Sequence, residues 1–404
     1  MRGWPLPLVI GAVVLVLAAA AVLVWPDRRP PPGGGLDAGA VAAALAALEQ
    51  QDAGAGGIDD TGPLRFPADH GPHPAAPGEI WELSALLTDR RGRRYGLRFS
   101  VVRLALGTEP VQRTSAFAAH AVLAAGLTVA DERAGRVPAA RRVSRSALGL
   151  AGSDGATPGD PRTRVWVEDW RLSREGGGVL RLNATDPAAA LDLRLTPARD
   201  PVGIEQSELL GRTGGEARGA GLRFYVQPGL AVTGSLRLDD GRRQVTGSAW
   251  LDHAWGSPGA VVGGRSGRLA LNRFELMLED GTALACVHLR RRSGGGTPIP
   301  TCAAIAPGGA VGVLRRRDLS LEPAGTPWTA ADGTEYPLRW RLSAPALDLA
   351  IDIRPLLPDQ QQAQIVPLWS GIVLVEGRRG TVPVSGSGRM DLTGYAAEEP
   401  GSGT

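Results

Sequence analysis

From residue 78 onward the chain is written in short runs of apolar or alternating side chains, separated by Gly, Pro, Asp or Asn. Such runs fall at 79–88, 95–104, 164–172, 179–185, 190–197, 221–227, 231–238, 244–251 and 268–279. Turn signals stand between them, among them Asp89-Arg90-Arg91-Gly92, Asp239-Asp240-Gly241 and Glu279-Asp280-Gly281. These are residues that tolerate positive φ or close a tight turn with a side chain, as hairpins require. Strict alternation is visible in Leu191-Asp192-Leu193-Arg194-Leu195 and again from Leu347 to Ile353. Successive strand side chains point to opposite faces, so a period of two means one buried and one wet face. No stretch beyond residue 62 offers several turns of amphipathic helix. The predicted fold class is all-β, and this many short strands favours barrels or sandwiches, which remove or protect sheet edges.

The N-terminus follows another pattern. Arg2 precedes an apolar stretch from Trp4 to Trp25, closed by Pro26-Asp27-Arg28-Arg29, and no charge falls between Leu8 and Trp25. About 20 apolar residues suffice to span a bilayer as a helix. A cleaved signal would carry an apolar core of about 7–15 residues before a small-residue site. Here the alanines at 18–21 are followed by Val22-Leu23-Val24-Trp25, which continues the span. An uncleaved transmembrane anchor over 1–29 is expected, with release to the periplasm after cleavage as the alternative. Residues 30–62, rich in Pro, Gly and Ala, read as a linker.

Composition narrows the chemistry. The chain of 404 residues contains no lysine, all 44 basic residues being arginine. A lysine Schiff base and a phosphate-binding lysine are thereby excluded, since an arginine cannot deprotonate to replace that amine. A net charge of +3 over this length is no nucleic-acid footprint. The two cysteines cannot build a four-thiolate zinc site or an iron–sulfur cluster. Cys286 and Cys302 flank Ser293-Gly294-Gly295-Gly296. A hairpin turning there would set them side by side, either as a disulfide in an oxidising compartment or as two small, free core residues. Neither a Gly-x-Ser-x-Gly elbow nor a Gly-x-Gly-x-x-Gly dinucleotide fingerprint occurs.

Several segments are more specific than composition. Phe66-Pro67-Ala68-Asp69-His70-Gly71-Pro72-His73 precedes Glu79-Ile80-Trp81 and Gly92-Arg93-Arg94-Tyr95-Gly96. The run 145–152 leads to Val165-Trp166-Val167-Glu168-Asp169-Trp170, then comes Ala249-Trp250-Leu251-Asp252-His253-Ala254-Trp255-Gly256, and Leu392-Thr393-Gly394-Tyr395 closes the series. Together, over about residues 63–396, they resemble the AttH-like family of predicted secreted hydrolases related to carotenoid 1,2-hydratases. The resemblance implies two lipocalin-like (calycin-type) antiparallel β-barrel domains, taken here as 63–218 and 219–397, with 398–404 as a tail. It also implies an exported or membrane-attached protein, and AttH-like members are often encoded beside ABC-transporter permeases.

The hydratase branch adds water across a terminal carbon–carbon double bond of an acyclic carotenoid. That chemistry calls for an acid tuned by burial, aromatic faces beside a cation, and a long apolar cavity. Asp252, His253 and Trp255 match the Asp-His-x-Trp element of the hydratases, which implies Asp252 and His253 as acid/base pair and Trp255 as cation stabiliser. The competing reading is a structural corner. Asp69, His70, His73, Glu79, Trp81, His120 and Trp250 are the expected ligand-binding residues, with His120 equally readable as a core histidine. No metal and no cofactor is assigned, because the proline-rich loop carrying Asp69, His70 and His73 supplies no register to aim two imidazoles together. The chain departs from the family at Leu271-Asn272-Arg273-Phe274, where a Trp-Asp-Trp-Phe run is usual, and at Glu79-Ile80-Trp81-Glu82, where Glu-Trp-Trp-Tyr is usual. Whether it is an enzyme stays open. The expected protein is an inner-membrane-anchored, extracytoplasmic binder of an apolar isoprenoid- or lipid-like ligand, without nucleic acid, and in its enzymatic form a hydratase. The alternative is a non-enzymatic lipid-binding accessory of an ABC-transporter permease.

Overall fold

The computed structural model describes residues 62–106, 118–157, 160–204, 223–239, 241–256, 269–292, 294–360 and 368–395. The anchor expected at 1–29, the linker to residue 61 and the tail at 398–404 lie outside these. Among the described residues no helix is long and apolar enough to cross a membrane.

The described chain is antiparallel β throughout, interrupted only by three-residue 3-10 turns. A first sheet is built from β1 (Gly78–Asp89), β2 (Arg94–Ala105), β3 (Ala121–Asp131), β4 (Ala139–Arg145), β5 (Ala151–Thr157), β6 (Asp160–Val167), β7 (Trp170–Arg174), β8 (Leu180–Thr185), β9 (Ala190–Pro197), β10 (Val202–Gly203), β11 (Arg223–Leu238) and β12 (Gly241–Gly256). Its strand order is β4-β3-β2-β1-β12-β11-β9-β8-β7-β6-β5, with β10 added beside β11. The edges approach each other where β3 and β4 meet β5 and β6, so the sheet curls into a nearly closed barrel.

A second sheet, a half-barrel, contains β13 (Leu269–Leu278), β14 (Ala283–Arg291), β15 (Ile299–Ile305), β16 (Val311–Arg315), β17 (Ser320–Pro323), β20 (Trp340–Ala344), β21 (Leu349–Pro355), β22 (Leu368–Arg379) and β23 (Val382–Thr393). A small ribbon pairs β18 (Trp328–Thr329) with β19 (Glu335–Tyr336). The change of sheet falls between Gly256 and Leu269, later than the 218/219 division expected from the sequence. The reason is pairing: β12 hydrogen-bonds β1 along its whole length and β11 hydrogen-bonds β9, so both belong to the first barrel.

Alternation sorts the side chains. On β1, Glu79, Trp81, Leu83, Ala85 and Leu87 face inward, and from Trp81 on they join a core that includes Leu97, Phe99, Leu127, Val167, Trp170, Leu193 and Leu236. The barrel interior is thus largely filled by side chains, and among the described residues the long apolar cavity expected from the hydratase resemblance does not form. The outward residues of the first sheet meet the second. Val202, Ile204, Val226 and Trp250 pack on Ala283, Ala285, Val287, Ala303 and Ile305, while Ala130 packs near Leu356, Ile372 and Leu374. Gly96 permits that approach, since a Cβ there would lie 2.9 Å from Ile372. Gly92, at φ +75°, makes the β1–β2 turn.

In the half-barrel core Cys286 and Cys302 sit directly opposite each other on β14 and β15 and are joined as a disulfide, Cα–Cα 4.0 Å. The closed loop spans 16 residues, and cross-links of about this loop length stabilise by roughly 3 kcal/mol. The double variant Cys286→Ala/Cys302→Ala is therefore expected to lower unfolding stability by about 2–3 kcal/mol in urea titrations. An unchanged midpoint would contradict it.

Candidate active site at the barrel rim

Four adjacent strands end at one rim of the barrel, and their register places a band of chemistry-bearing side chains on the inner face. Arg103 lies opposite Glu79, Glu79 opposite Trp255, Trp81 opposite His253, and His253 opposite Tyr225. The loop 62–77 folds over this rim with a 3-10 turn at Ala68–His70, adding Phe66, Asp69, His70 and His73.

Glu79 is the hub and is fully buried. Its Oε1 accepts from His253 Nε2 (2.9 Å), from His73 Nδ1 (3.0 Å) and from the His73 backbone N–H (2.9 Å), and its Oε2 accepts from Arg103 Nε (3.0 Å). Burial alone would raise its pKa. The hydrogen bonds from His253 and His73 and the charges of His253 and Arg103 outweigh it, so the carboxyl titrates at about 2. Arg103 also donates to the carbonyls of His73 and Ala76, both at 2.8 Å, which ties the loop to the barrel. That tie supplies the register the loop sequence lacks.

Because Glu79 is ionised, the imidazole nitrogens facing it carry protons. His253 then presents an unprotonated Nδ1, and this buried nitrogen has no hydrogen-bond partner among the described residues. Burial lowers the His253 pKa, against the raising effect of Glu79. Aromatic rings wall it in: Trp81 stacks on it at 4.7 Å, and Tyr225 meets it edge-on at 5.3 Å. Trp255 stacks on His73 at 3.6 Å, and His73 reaches Asp69 at 3.5 Å. His70 Nδ1 and the Tyr225 hydroxyl are hydrogen-bonded at 2.9 Å. Burial, with the charge of Arg174 next, lowers His70 to about 3, and burial raises Tyr225 to about 12.

A cleft opens beside this cluster, lined by His70, Pro72, Trp81, Leu172, Arg174, Tyr225 and Leu251 among others, with about 330 Å³ of empty space that includes its open side. It is narrow. The His70–Pro72 segment caps it.

The expected residues thus divide. Asp69, His70, His73, Glu79, Trp81, His253 and Trp255 converge. Asp252 and Trp250 do not, for a simple reason: on a strand, neighbours in sequence face opposite ways. Asp252 points into the seam between the sheets, where its Oδ1 accepts from Trp250 Nε1 (2.8 Å) and its Oδ2 from Arg389 Nη2 (2.9 Å). It cannot pair with His253, and Glu79 holds that position instead. His120 is exposed just before β3, its carbonyl accepting from the Leu106 N–H at the end of β2. Tyr225, Arg103 and Arg174 complete the site without having been singled out in the sequence. The inward period of their strands was the available signal. The family departures at 271–273 fall in the second sheet: Asn272 Nδ2 meets His288 Nδ1 (3.3 Å) and Tyr395 OH (3.0 Å), and Arg273 enters the seam. They leave the rim site untouched.

His73, Glu79 and His253 offer three donor atoms within 4.8 Å of one another. A metal bound there would have to displace the hydrogen bonds that both imidazoles now make to Glu79.

The fold and site define an all-β protein, a nearly closed barrel beside a half-barrel, with a buried carboxylate–histidine cluster under a loop at the barrel rim. The AttH-like family model matches residues 58–395, and the chain belongs to that family. No curated protein matches it significantly. Among solved structures, one described as AttH from Nitrosomonas europaea is similar at 24% identity and TM-score 0.68, over 84% of this chain and 99% of that one. Kievitone hydratase from Nectria haematococca is similar at 15% identity and TM-score 0.58, over 85% and 96%. CghA is similar at 13% and 0.52, over 85% and 96%. At these identities the likeness is one of fold.

Proposed function

We propose that this chain is a hydratase that adds water across a carbon–carbon double bond of an apolar ligand, with the Glu79–His253 dyad taking the proton from water. The observation that carries this is the partnerless Nδ1 of His253, whose other nitrogen Glu79 fixes. A carboxylate that orients an imidazole and leaves its second nitrogen free is the arrangement of a general base. Trp81 and Tyr225 are at once rings packed against the His253 imidazole and walls of the cleft, so a ligand that shifts either ring would open a path for water to the base. The hydratase likeness in fold agrees with this reading. The narrow cleft suits the reacting end of a ligand rather than the full length of a carried lipid. A disulfide favours an oxidising compartment, and the apolar stretch 4–25 supports attachment to a membrane with the β body outside the cytoplasm.

The test is product mass spectrometry after incubation in heavy-oxygen water with an acyclic carotenoid, kievitone and citral. His253→Ala is expected to lose at least a hundredfold in rate, the lower end for a missing general base. Asp252→Asn, altered only in the seam, is expected to keep its rate within a few-fold while losing stability. Equal label incorporation by wild type and His253→Ala would refute the assignment.

A further inference from the structure

Arg174 stands in the cleft wall without a counter-charge. It is 4% exposed, and its guanidinium bonds neutral groups, Gln227 Oε1 at 2.8 Å, the Gly178 carbonyl at 3.1 Å and the Tyr225 hydroxyl. Among the described residues no carboxylate lies within ion-pair distance of it. The neighbouring arginines differ: Arg103 sits on Glu79, and Arg164 binds both oxygens of Asp154. A buried cation without an anion is costly. The Tyr225 hydroxyl lies on the same wall, bonded to Arg174 and to His70 Nδ1 (2.9 Å), so a substrate oxygen held there exchanges for one of these neutral partners.

A second observation is the missing acid. Protonating an isolated alkene needs a strong acid facing the substrate. Glu79 is ionised and fully engaged, Asp252 faces the other side of its strand, Asp154 is held by Arg164 at two points, and Asp69 is outside the cleft lining, engaged by His73 and the Arg65 backbone N–H. The wall offers instead a base with a cation and a hydroxyl donor beside it, the equipment for stabilising a developing oxyanion.

We propose, building on the hydratase reading, that the substrate's double bond is conjugated to a carbonyl group whose oxygen is held by Arg174 and Tyr225. Water then adds at the β-carbon. Its oxygen bonds that carbon, one of its protons passes to His253 Nδ1, and the π pair moves through the α-carbon to the carbonyl oxygen. The enolate so formed lies against Arg174 and Tyr225. Return of the proton from His253 to the α-carbon restores the carbonyl, and the sum is one added water.

Citral tests this in one molecule, because it carries a conjugated 2,3 double bond and an isolated 6,7 double bond. In heavy-oxygen water the label is expected at C3, with a rate at least a hundredfold lower in Arg174→Met, as for loss of an oxyanion donor. Tyr225→Phe, which keeps the ring packing, guards against a folding defect and is expected to slow the reaction as well. Label at C7, or label at C3 that neither variant slows, overturns the proposal while leaving a hydratase. If no label enters at all, the hydratase reading fails for this probe, and binding decides the oxyanion subsite. Geranic acid is expected to quench tryptophan fluorescence with at least tenfold higher affinity than geraniol in wild type, and with equal affinity in Arg174→Met. Equal affinities in wild type overturn the subsite too.

Discussion

Arg389→Met is expected to lose about 3–5 kcal/mol of stability at pH 7, the usual cost of leaving buried charge without its partner, and to lose less as the pH falls. Arg389 is 2% exposed in the seam between the sheets. Its Nη2 meets Glu275 (2.8 Å), Asp252 (2.9 Å) and Glu82 (3.1 Å), and its Nε lies 3.3 Å from Asp391. Arg273 bridges Glu82 and Asp391 at 2.6 and 2.8 Å, Arg98 approaches Glu82 at 3.8 Å, and the Ser370 hydroxyl donates to Asp391. Four carboxyl groups therefore face three guanidiniums. Burial raises the Glu275 pKa well above the ordinary range, whereas Arg389 and Arg273 outweigh burial at Glu82 and Asp391 and lower theirs. A proton on Glu275 evens the count at three against three.

Without Arg389 the carboxyl groups have two cations left, so more of them must hold protons in the fold. Carboxyls raised in the fold lose stability as pH rises and regain it as pH falls. The gap between variant and wild type should thus narrow from pH 7 to pH 5 in urea titrations. A gap that stays constant, or is below about 1 kcal/mol throughout, would show that the cluster contributes only packing.

Wild type itself should lose about 3 kcal/mol between pH 6.5 and pH 5. Burial is the largest cause in lowering all three buried histidines, His70 to about 3, His288 to about 4, and His253 as well. Groups held neutral in the fold take up protons on unfolding, so stability is complete above the unfolded value of about 6.5 and falls as pH drops toward the folded values. His70 and His288 together give a slope approaching two protons, roughly 2.7 kcal/mol per pH unit, to which His253 adds and which Glu275, raised in the fold, opposes. Glu79, lowered to about 2, adds its loss only below about pH 4.5. Chemical denaturation at pH 8, 7, 6 and 5 reads this directly. A midpoint flat across that range would mean that the imidazoles are already charged in the fold, and His70→Asn should reduce the slope by about one proton.

How far the sequence reaches is clearest along β12. Its motif marks the strand, and the strand does bring His253 and Trp255 to the rim. The same motif suggested Asp252 as partner, and there the linear view failed, because adjacent letters on a strand belong to opposite faces. Glu79, 174 residues away, became the partner through pairing of β1 with β12. The loop 62–77 shows the complementary case: its residue types were legible as site material, but only Arg103, reaching two of its carbonyls, tells where they aim.

The sequence by itself determined the all-β class, the period-two faces, the hairpin that sets Cys286 beside Cys302, and family membership. These follow from local stereochemistry and residue type, which act over a few positions. Only the tertiary structure decided that β11 and β12 complete the first barrel, that its interior is filled, that Asp252 serves the seam, and that Tyr225 and Arg174 share a wall with Trp81. Those outcomes depend on which distant strands pair and on how a closed sheet divides its two faces between a core and a neighbour.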